Sequence, residues 1–491
     1  MVYPTLEQVE EIVKITPCKR IPIKRELVAD TVTPITVLRK LQNISGHCFM
    51  FESAEDNRQW GRYTFIGFDP SVEVTAISGV VQIKTDATTQ TFIDKPATVI
   101  RGIIEENKAP ILEGFPPFSG GLVGYFSYDY IKYAEPTLKL DAKDENHFKD
   151  MDLMLFDKLI AFDHYNQTVI LIANIKTDYL ARNYAKAELD LKQMADIVRD
   201  GALAPNPPLQ LKSEFRALFD QAGYCNMVEK AKHYIHEGDI FQVVLSNRME
   251  ADMEGSLLDT YRLLRRTNPS PYMFYFSSED VEIVGASPET LVKLQDGKLH
   301  TFPLAGTKPR GATQEEDEAL ERDLLSDEKE RAEHNMLVDL GRNDIGRISK
   351  IGSVSVDKYM SIERFSHVMH IGSTVSGDIA DGKDALDAID SILPAGTLSG
   401  APKLRACQII NALEDNKRGI YGGAIGYIDF TGNMDTCIAI RLAFSKNGKV
   451  FVRSGAGIVA DSVAESEYNE CINKAKVVVQ SLEQAQGGID L

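Results

Sequence analysis

Two neighbouring stretches near the C-terminal end, YGGAIGYIDF (421–430) and MDTCIAIRLAF (434–444), decide the fold class of this chain. Both are rich in β-branched, aromatic and small residues, and the Thr-Gly-Asn segment between them is typical of a turn that joins two strands. Strand patterns also occur far upstream, in VEVTAISGVVQIKT (72–85) and LIAFDHYNQTVILIANI (159–175). Because helical stretches interrupt the strands without a regular β-α-β alternation, the sequence predicts an α+β fold with antiparallel sheets.

The chain of 491 residues is longer than a typical single domain, which favours two compact units or one large intertwined unit. Residues 202–210 read ALAPNPPLQ, and three prolines without apolar periodicity are typical of a linker. We therefore predict a β-rich N-terminal region, residues 1–208, followed by a second region, residues 209–491.

Composition excludes several classes of function. The formal net charge of −18 argues against nucleic acid and acidic membrane surfaces as partners, so an anionic ligand would need local cations or a metal ion. The six cysteines form no Cys-x-x-Cys pair, which argues against a disulfide framework and a zinc site. Without a secretion signal or a membrane-spanning stretch, a cytoplasmic location is expected. The sequence also lacks the glycine-rich motifs of dinucleotide and ATP sites and the Gly-x-Ser-x-Gly elbow of hydrolases.

An acidic helix is predicted in DEKERAEHNMLVDLGRND (327–344). Asp327 can cap its start with Glu330 as the capping-box acid, and Gly341 is the predicted stop. Glu333 lies one turn beyond Glu330 on the same face, so the two carboxylates can also point into one cleft, as a proton donor beside a metal ligand would.

A second acidic helix is predicted after VRSGAGIVADS (452–462), with Ser462 and Glu465 as its capping box. Glu470 and Lys474 share one face of this helix, and an exposed ion pair between them is the structural alternative. A hard cation such as Mg²⁺ often takes only one or two protein carboxylates together with waters and a ligand oxygen. One glutamate from each acidic helix would therefore suffice.

Small residues surround a single cation in TCIAIRLAF (436–444). If this stretch is one strand, Arg441 shares a face with Cys437, Ala439 and Ala443, and that face could either hold a ligand carboxylate or lie exposed to solvent. His367 and His370 have the spacing of a metal pair, but one of them as a proton-transfer group is the better hypothesis.

Seven motifs, in this order along the chain, resemble those of the chorismate-utilising enzymes. They are GDIFQVVLS (238–246), GASPETLV (285–292), FPLAGTKPRG (302–311), DEKERAEHNMLVDLGRND (327–344), LPAGTLSGAPK (393–403), YGGAIGY (421–427) and SGAGIVADSVAESEYNECINKA (454–475). The resemblance implies two large antiparallel β-sheets packed face to face, with helices on the outside and a site for chorismate and Mg²⁺ between them.

The resemblance also implies a role for particular residues. Glu333 and Glu470 would hold Mg²⁺, Glu330 would protonate the departing C4 hydroxyl, and His370 would serve the pyruvate-eliminating step. The residues implied in binding the substrate are Gln242, Thr397, Tyr421, Arg441, Gly455, Gly457 and Lys474.

Two positions indicate which reaction of the family is expected. Family members that add water carry a lysine where this chain has Gln242, and those that make the para-amino isomer carry a lysine where this chain has Ala305. The resemblance therefore implies attack by ammonia at C2 and loss of pyruvate, which gives anthranilate. Synthesis of 2-amino-2-deoxyisochorismate or aminodeoxychorismate, and a non-catalytic tryptophan-binding subunit, remain as alternatives.

FMFESA (49–54) and NPSPYMFYF (268–276) resemble the effector motifs of tryptophan-inhibited family members. The residues implied in this site are Glu52, Ser53, Pro271, Tyr272 and Met273, although Met50 and Phe51 depart from the usual Leu pair. The structural alternative is a plain core strand. Because the sequence contains no glutaminase domain, the resemblance also implies that a separate glutamine amidotransferase subunit supplies ammonia, in a heterotetramer.

Overall fold

The computed structural model describes residues 2–53, 61–364 and 368–489. Within these ranges the strands are β1 (Val2–Tyr3), β2 (Arg20–Val28), β3 (Cys48–Glu52), β4 (Tyr63–Phe68), β5 (Val72–Ile77), β6 (Val80–Lys84), β7 (Thr89–Ile93), β8 (Gly121–Phe126), β9 (Met151–Phe156), β10 (Lys158–Asp163), β11 (Thr168–Lys176), β12 (Gln210–Leu211), β13 (Arg216–Ala217), β14 (Gln242–Glu254), β15 (Tyr272–Ser277), β16 (Glu282–Ser287), β17 (Thr290–Gln295), β18 (Lys298–Thr301), β19 (Leu304–Pro309), β20 (Ser355–Arg364), β21 (Val368–Asp378), β22 (Gly400–Ala401), β23 (Ala424–Asp429), β24 (Met434–Ile438), β25 (Leu442–Lys446) and β26 (Lys449–Ile458).

Helices alternate irregularly with these strands. In the same ranges they are α1 (Leu6–Ile15), α2 (Pro34–Leu41), α3 (Pro96–Glu106), α4 (Ile131–Ala134), α5 (Leu180–Asp200), α6 (Gln221–His236), α7 (Leu258–Thr267), α8 (Gln314–Ser326), α9 (Glu328–Gly346), α10 (Ala385–Ile392), α11 (Lys403–Glu414) and α12 (Ala464–Ala485), with short 3₁₀ turns at Tyr128–Tyr130 and Gly396–Leu398.

The strands form two large antiparallel sheets, as predicted. The first sheet has the order β1-β2-β11-β10-β4-β3-β15-β16-β25-β26-β14-β12, with β13 and β22 also paired with β14. The second sheet has the order β19-β21-β18-β17-β24-β23-β8-β9-β5-β6-β7, with β20 paired with β21. The predicted α+β class is thereby confirmed.

The sheets pack face to face. Successive side chains along a strand point alternately into the core between the sheets and into a core between a sheet and helices. In β10, Leu159 and Ala161 point into a core shared with residues of the second sheet, such as Met154 and Ile425. Their neighbour Ile160 points the other way, into a core that contains residues of α5 and α12. Because successive strand residues face opposite sides, each sheet can bury one face against the other sheet and one against helices.

Both sheets contain strands from either side of residue 208. Residues 202–209 contain neither helix nor strand in this described part of the chain, in keeping with a connecting segment. The division into 1–208 and 209–491 stays a prediction about sequence organisation, since each sheet combines strands from both regions. No helix in the described ranges has the length and apolar character needed to span a membrane.

Three local predictions were wrong. The chain leaves the second sheet at Ile438 and enters the first at Leu442, so TCIAIRLAF is two strands joined by a corner rather than one strand with a continuous face. Helix α9 continues past Gly341 to Gly346. Helix α12 begins at Ala464 without a side-chain cap, because the Ser462 hydroxyl instead accepts a hydrogen bond from the Val459 N–H at 3.1 Å.

Candidate active site

The two acidic helices place three carboxylates, those of Glu330, Glu333 and Glu470, within electrostatic range of one another. Asp327 caps α9 as predicted, accepting hydrogen bonds from the backbone N–H groups of Lys329 and Glu330 at 2.9 and 3.2 Å. The Glu330 carboxylate lies against Gly306 of β19, where an added Cβ would come within 3.1 Å of Glu330 Oε2. On α12, Glu470 accepts from Lys474 at 2.6 Å, and Lys474 also donates to the Gly455 carbonyl at 3.3 Å.

The electrostatics of these carboxylates suit a cation. Burial raises the pKa of Glu333, and the negative charges of Glu330 and Glu470 raise it further. Burial likewise raises the pKa of Glu330, with added contributions from the charges of Asp327 and Glu470. These contributions indicate that carboxylates of the two helices are close enough to interact electrostatically, and a divalent cation bound between them would relieve the repulsion.

The donor set also suits Mg²⁺. Among the described residues, no group of three or more His, Cys, Asp or Glu side chains is arranged to hold a metal ion by itself. Glu333 and Glu470 together would supply two hard oxygen ligands, which is the usual protein share when waters and an anionic ligand complete the shell of Mg²⁺.

Glu289, which the sequence analysis did not select, lies half-buried beside the predicted site residues Thr397, Arg441 and Lys474. It follows β16, and Thr397 donates a hydrogen bond to its Oε1 at 3.2 Å. Burial raises the pKa of this carboxyl to about 8, against the lowering effects of the Thr397 hydrogen bond and the charges of Arg441 and Lys474. The carboxyl is therefore protonated near neutral pH, as a general acid must be. The available signal, an acid after Pro288 in the GASPETLV motif, does not by itself indicate burial.

Arg441 occupies the corner between the two sheets. Its φ of 50° is in the left-handed region, which lets the chain turn between β24 and β25 within three residues. Burial lowers the pKa of the Arg441 guanidinium, while the charge of Glu289 acts in the opposite direction. The corner thus places a partly buried cation next to Glu289, where a ligand carboxylate could bind.

His370 lies in β21 and is held by β19. Its Nδ1 is 2.7 Å from the Gly306 carbonyl oxygen and 3.1 Å from the Thr307 hydroxyl. Because a carbonyl only accepts, Nδ1 carries the proton and the neutral ring has a basic Nε2. Burial lowers the pKa of His370, which favours that neutral form. His367 lies outside the described residues.

Strands β14 and β26 form another wall of the region. Their register pairs Val244 with Gly457 and Ser246 with Gly455. A Cβ on Gly457 would lie 2.7 Å from Gln242 Nε2, and one on Gly455 would lie 3.1 Å from the Tyr421 hydroxyl. Both glycines therefore allow close packing of predicted substrate-binding side chains, which any larger residue would displace.

The five predicted effector residues all line one cavity of about 290 Å³. Glu52 of β3 and Met273 of β15 are direct partners across neighbouring strands of the first sheet. Asp435 and Cys437 of β24 line the same cavity from the second sheet, so the cavity lies between the sheets. The structure thus places the predicted effector residues of two distant motifs, FMFESA and NPSPYMFYF, around the same cavity.

Polar contacts hold the walls of this cavity in place. The Glu52 carboxylate is bound by Arg265, at 2.5 and 2.9 Å, and by the hydroxyl of Tyr261. The Tyr272 hydroxyl donates to Asp435 at 2.8 Å, which ties the first sheet to the second. The lining therefore combines aromatic surface with fixed charges of both signs.

Comparisons with known proteins agree with this fold. Residues 46–480 match the family model described as chorismate binding enzyme. The chain is 44% identical to anthranilate synthase component 1 of Acetivibrio thermocellus over 494 aligned positions, 99% of each chain. The crystal structure of anthranilate synthase component I from Streptococcus pneumoniae superposes with a TM-score of 0.77 at 38% identity, covering 92% of this chain and 98% of that one.

A more distant structure shares the fold. The menaquinone-specific isochorismate synthase of Escherichia coli superposes with a TM-score of 0.70 at 19% identity, covering 97% of this chain and 98% of that one. The chain therefore belongs to the family of chorismate-binding enzymes. Within that family it is an enzyme of the anthranilate synthase component 1 type, as predicted from its ordered motifs.

Proposed function

We propose that this chain converts chorismate and ammonia to anthranilate and pyruvate in an Mg²⁺-dependent reaction that tryptophan inhibits. The observations that support this proposal are the electrostatic interaction between Glu333 and Glu470, from two separate helices, and the protonated carboxyl of Glu289 beside the Arg441 cation. The charge of Lys474 acts on both Glu333 and Glu289 and so links these two groups. This arrangement pairs an anion-binding site with a proton donor, as replacement of a hydroxyl on a dicarboxylate requires.

Glu333 and Glu470 are the proposed ligands of Mg²⁺, which when bound would polarise the ring carboxylate of chorismate. Arg441 and Tyr421 would orient the enolpyruvyl carboxylate, since a guanidinium and a hydroxyl both donate to carboxylate oxygens. Lys474 contributes a second positive charge near Glu289. These groups offset the negative charge that a dianionic substrate brings to an acidic protein.

Departure of the C4 hydroxyl needs a proton, and two carboxyls are candidates. The family resemblance implies Glu330, which is half-buried beside Gly306. Glu289 is the stronger candidate, because desolvation raises its pKa to about 8 and so keeps it protonated near neutral pH. In the later step, the neutral His370 would take the ring proton as pyruvate leaves.

Ammonia is the proposed nucleophile because the residues here supply no amine of their own. Gln242 is a neutral amide, so it can position a nucleophile through hydrogen bonds but cannot deprotonate water as a lysine would. Ala305 in β19 carries no group that could form a covalent adduct with the ring. We propose that a glutamine amidotransferase subunit delivers ammonia in the cytoplasm, within a heterotetramer.

Tryptophan is the proposed ligand of the cavity lined by Glu52, Ser53, Pro271, Tyr272 and Met273. The cavity of about 290 Å³ is large enough for one indole amino acid, and its aromatic walls and charged groups match the two ends of that molecule. Inhibition requires that tryptophan bind a less active arrangement of the two sheets more tightly than the active one.

The decisive experiment supplies the purified chain with chorismate, MgCl₂ and an ammonium salt, and follows anthranilate fluorescence. Omission of Mg²⁺ should abolish the signal, and glutamine should replace ammonium only after the amidotransferase is added. Identification of the product by mass tests the alternatives: a product that retains the pyruvyl group, or no turnover at all, would overturn the proposal.

A further inference from the structure

A fully buried arginine outside the proposed substrate contacts joins several parts of the site. Arg418, between α11 and β23, is 2% exposed and pairs with the equally buried Glu414 at the end of α11. Arg418 Nη2 donates to Glu414 Oε1 at 2.6 Å, and Arg418 Nε donates to Oε2 at 3.0 Å. This bidentate contact fixes the plane of the guanidinium.

The remaining donors of Arg418 reach two segments that carry proposed substrate contacts. Nη1 donates to the carbonyl of Leu398 at 2.6 Å, and Nη2 donates to the carbonyl of Val244 at 2.7 Å. Leu398 directly follows Thr397, and Val244 lies two residues after Gln242. The guanidinium also lies 5.9 Å from the centroid of the Tyr421 ring.

The local backbone explains why the Val244 carbonyl needs an external donor. Strand β22 pairs with β14 only at Gln242 and Val243, so the ladder ends before Val244. The Val244 N–H still donates to Ser399 at 2.9 Å, but its carbonyl has passed the end of β22 and is bound by Arg418. Gly400 makes this close approach possible, because its φ is 143° and a Cβ there would lie 2.2 Å from the Gln242 carbonyl oxygen.

We infer that Arg418 is a positioning residue for chorismate, which fixes Gln242, Thr397 and Tyr421 relative to one another through a single guanidinium. This inference rests on the proposed function, because those three residues are its proposed substrate contacts. A buried ion pair seldom stabilises a core more than apolar residues of similar volume would. The geometric role of the fork, which no apolar group can reproduce, therefore accounts better for its presence here.

Arg453 provides a matched control within the same cluster. It is also buried, and its Nη2 donates to Glu414 Oε2 at 3.2 Å. Its other donors go to the Ser246 hydroxyl at 2.9 Å, the Lys417 carbonyl at 2.9 Å and the Asn416 amide oxygen at 2.5 Å. The side chain of Arg453 thus shares the carboxylate of Arg418 without binding the carbonyls of Leu398 and Val244.

The test compares R418K with R453K. Lysine keeps the charge beside Glu414 but cannot serve the carboxylate and both carbonyls with one planar fork. For R418K we expect KM for chorismate to rise about tenfold or more, with a fall in kcat, because small displacements of binding groups cost large factors in rate. We expect the melting temperatures of R418K and R453K to fall by similar amounts. For R453K, however, KM for chorismate should stay within about twofold of that of the unmodified chain. Equal KM changes in both variants, or an unchanged KM in R418K, would overturn the inference.

A second variant covers the case in which R418K does not fold. The single substitution R418Q removes one guanidinium while Glu414 keeps its contact with Arg453 at 3.2 Å, so no unpaired ion remains. This variant should fold and bind chorismate more weakly, as measured by isothermal titration calorimetry in MgCl₂; unweakened binding would also refute the positioning role. The unmodified chain is run in parallel as a control. If that chain forms no anthranilate, the result counts against the proposed function. The calorimetric comparison of chorismate binding still tests the role of Arg418 in that case.

Discussion

Replacement of Glu289 by glutamine tests the proposed proton donor directly. The amide retains the size of the carboxyl and can still accept the Thr397 hydrogen bond of 3.2 Å, but it has no proton to release. Because burial raises the pKa of Glu289 from its ordinary 4.5 to about 8, the carboxyl carries its proton through the neutral range. We expect kcat of E289Q to fall by about 10²–10⁴-fold, the usual contribution of a general acid.

The pH dependence gives a second, independent readout. With a pKa of about 8, Glu289 is roughly nine-tenths protonated one unit below that value and one-tenth protonated one unit above it. The turnover of the unmodified chain should therefore fall about tenfold over these two units, and the small residual rate of E289Q should not. Since the folded pKa exceeds the unfolded one, the linked stabilisation is complete below pH 4.5 and is lost as the pH rises through about 8. Its full span is about 5 kcal/mol, and E289Q should lack it.

The assay follows anthranilate fluorescence across this pH range, with total ammonium adjusted so that unprotonated ammonia stays constant. E330Q is the matched control, because Glu330 is the other candidate acid and lies half-buried beside Gly306. The reasoning fails if E289Q keeps the kcat of the unmodified chain, or if E330Q rather than E289Q abolishes the alkaline decline. Chemical unfolding of E289Q and the unmodified chain at the two pH extremes checks the stability term separately.

Four further substitutions test other parts of the proposal. Glu333→Ala and Glu470→Ala should each abolish Mg²⁺-dependent turnover. The melting temperature should stay nearly unchanged, because the carboxylates repel one another when no cation is bound. Residual turnover at saturating MgCl₂ would contradict the ligand assignment. Ser53→Phe should fill part of the 290 Å³ cavity and raise the tryptophan concentration for half-inhibition by about tenfold or more, with kcat preserved; unchanged inhibition would remove Ser53 from the effector site. Arg441→Ala should raise KM for chorismate about tenfold to a hundredfold by removing a charge-assisted contact, and steady-state kinetics with normal KM would refute that contact.

The fold class and the two acidic helices could be predicted because their signals are local. Asp327 followed by Glu330 encodes the start of α9, and the side chain of Asp327 caps that helix in the structure. The Ser462 and Glu465 pattern is just as regular, yet Ser462 binds the Val459 N–H and the helix begins two residues later. A capping pattern indicates which hydrogen bonds a side chain can form. Competing N–H groups of the neighbouring backbone determine which of these bonds forms in the folded chain.

Glu289 could not be recognised from sequence, because its acidity depends on residues far along the chain. Thr397, which donates to its carboxyl, lies 108 residues away, and the desolvation that raises its pKa depends on neighbours from other segments, such as Leu337, Leu340 and Ile392. A single acid in an apolar segment is equally compatible with a surface position. Only the assembled fold distinguishes a solvated carboxylate from one held protonated.

The corner at Arg441 was missed because both sides of it have the alternation of a strand, and periodicity does not reveal that the chain changes sheets. Its position has a consequence for regulation under the proposed function. Asp435 and Cys437 of β24 line the effector cavity, and the same strand ends at Ile438, three residues before Arg441. A ligand that fills the cavity and shifts β24 against the first sheet must move the corner as well, because β25 begins in that sheet immediately after Arg441. One short strand, β24, can therefore connect the effector cavity with the substrate site. The strength of this coupling is limited by the difference in tryptophan affinity between the two conformations that differ in the position of β24.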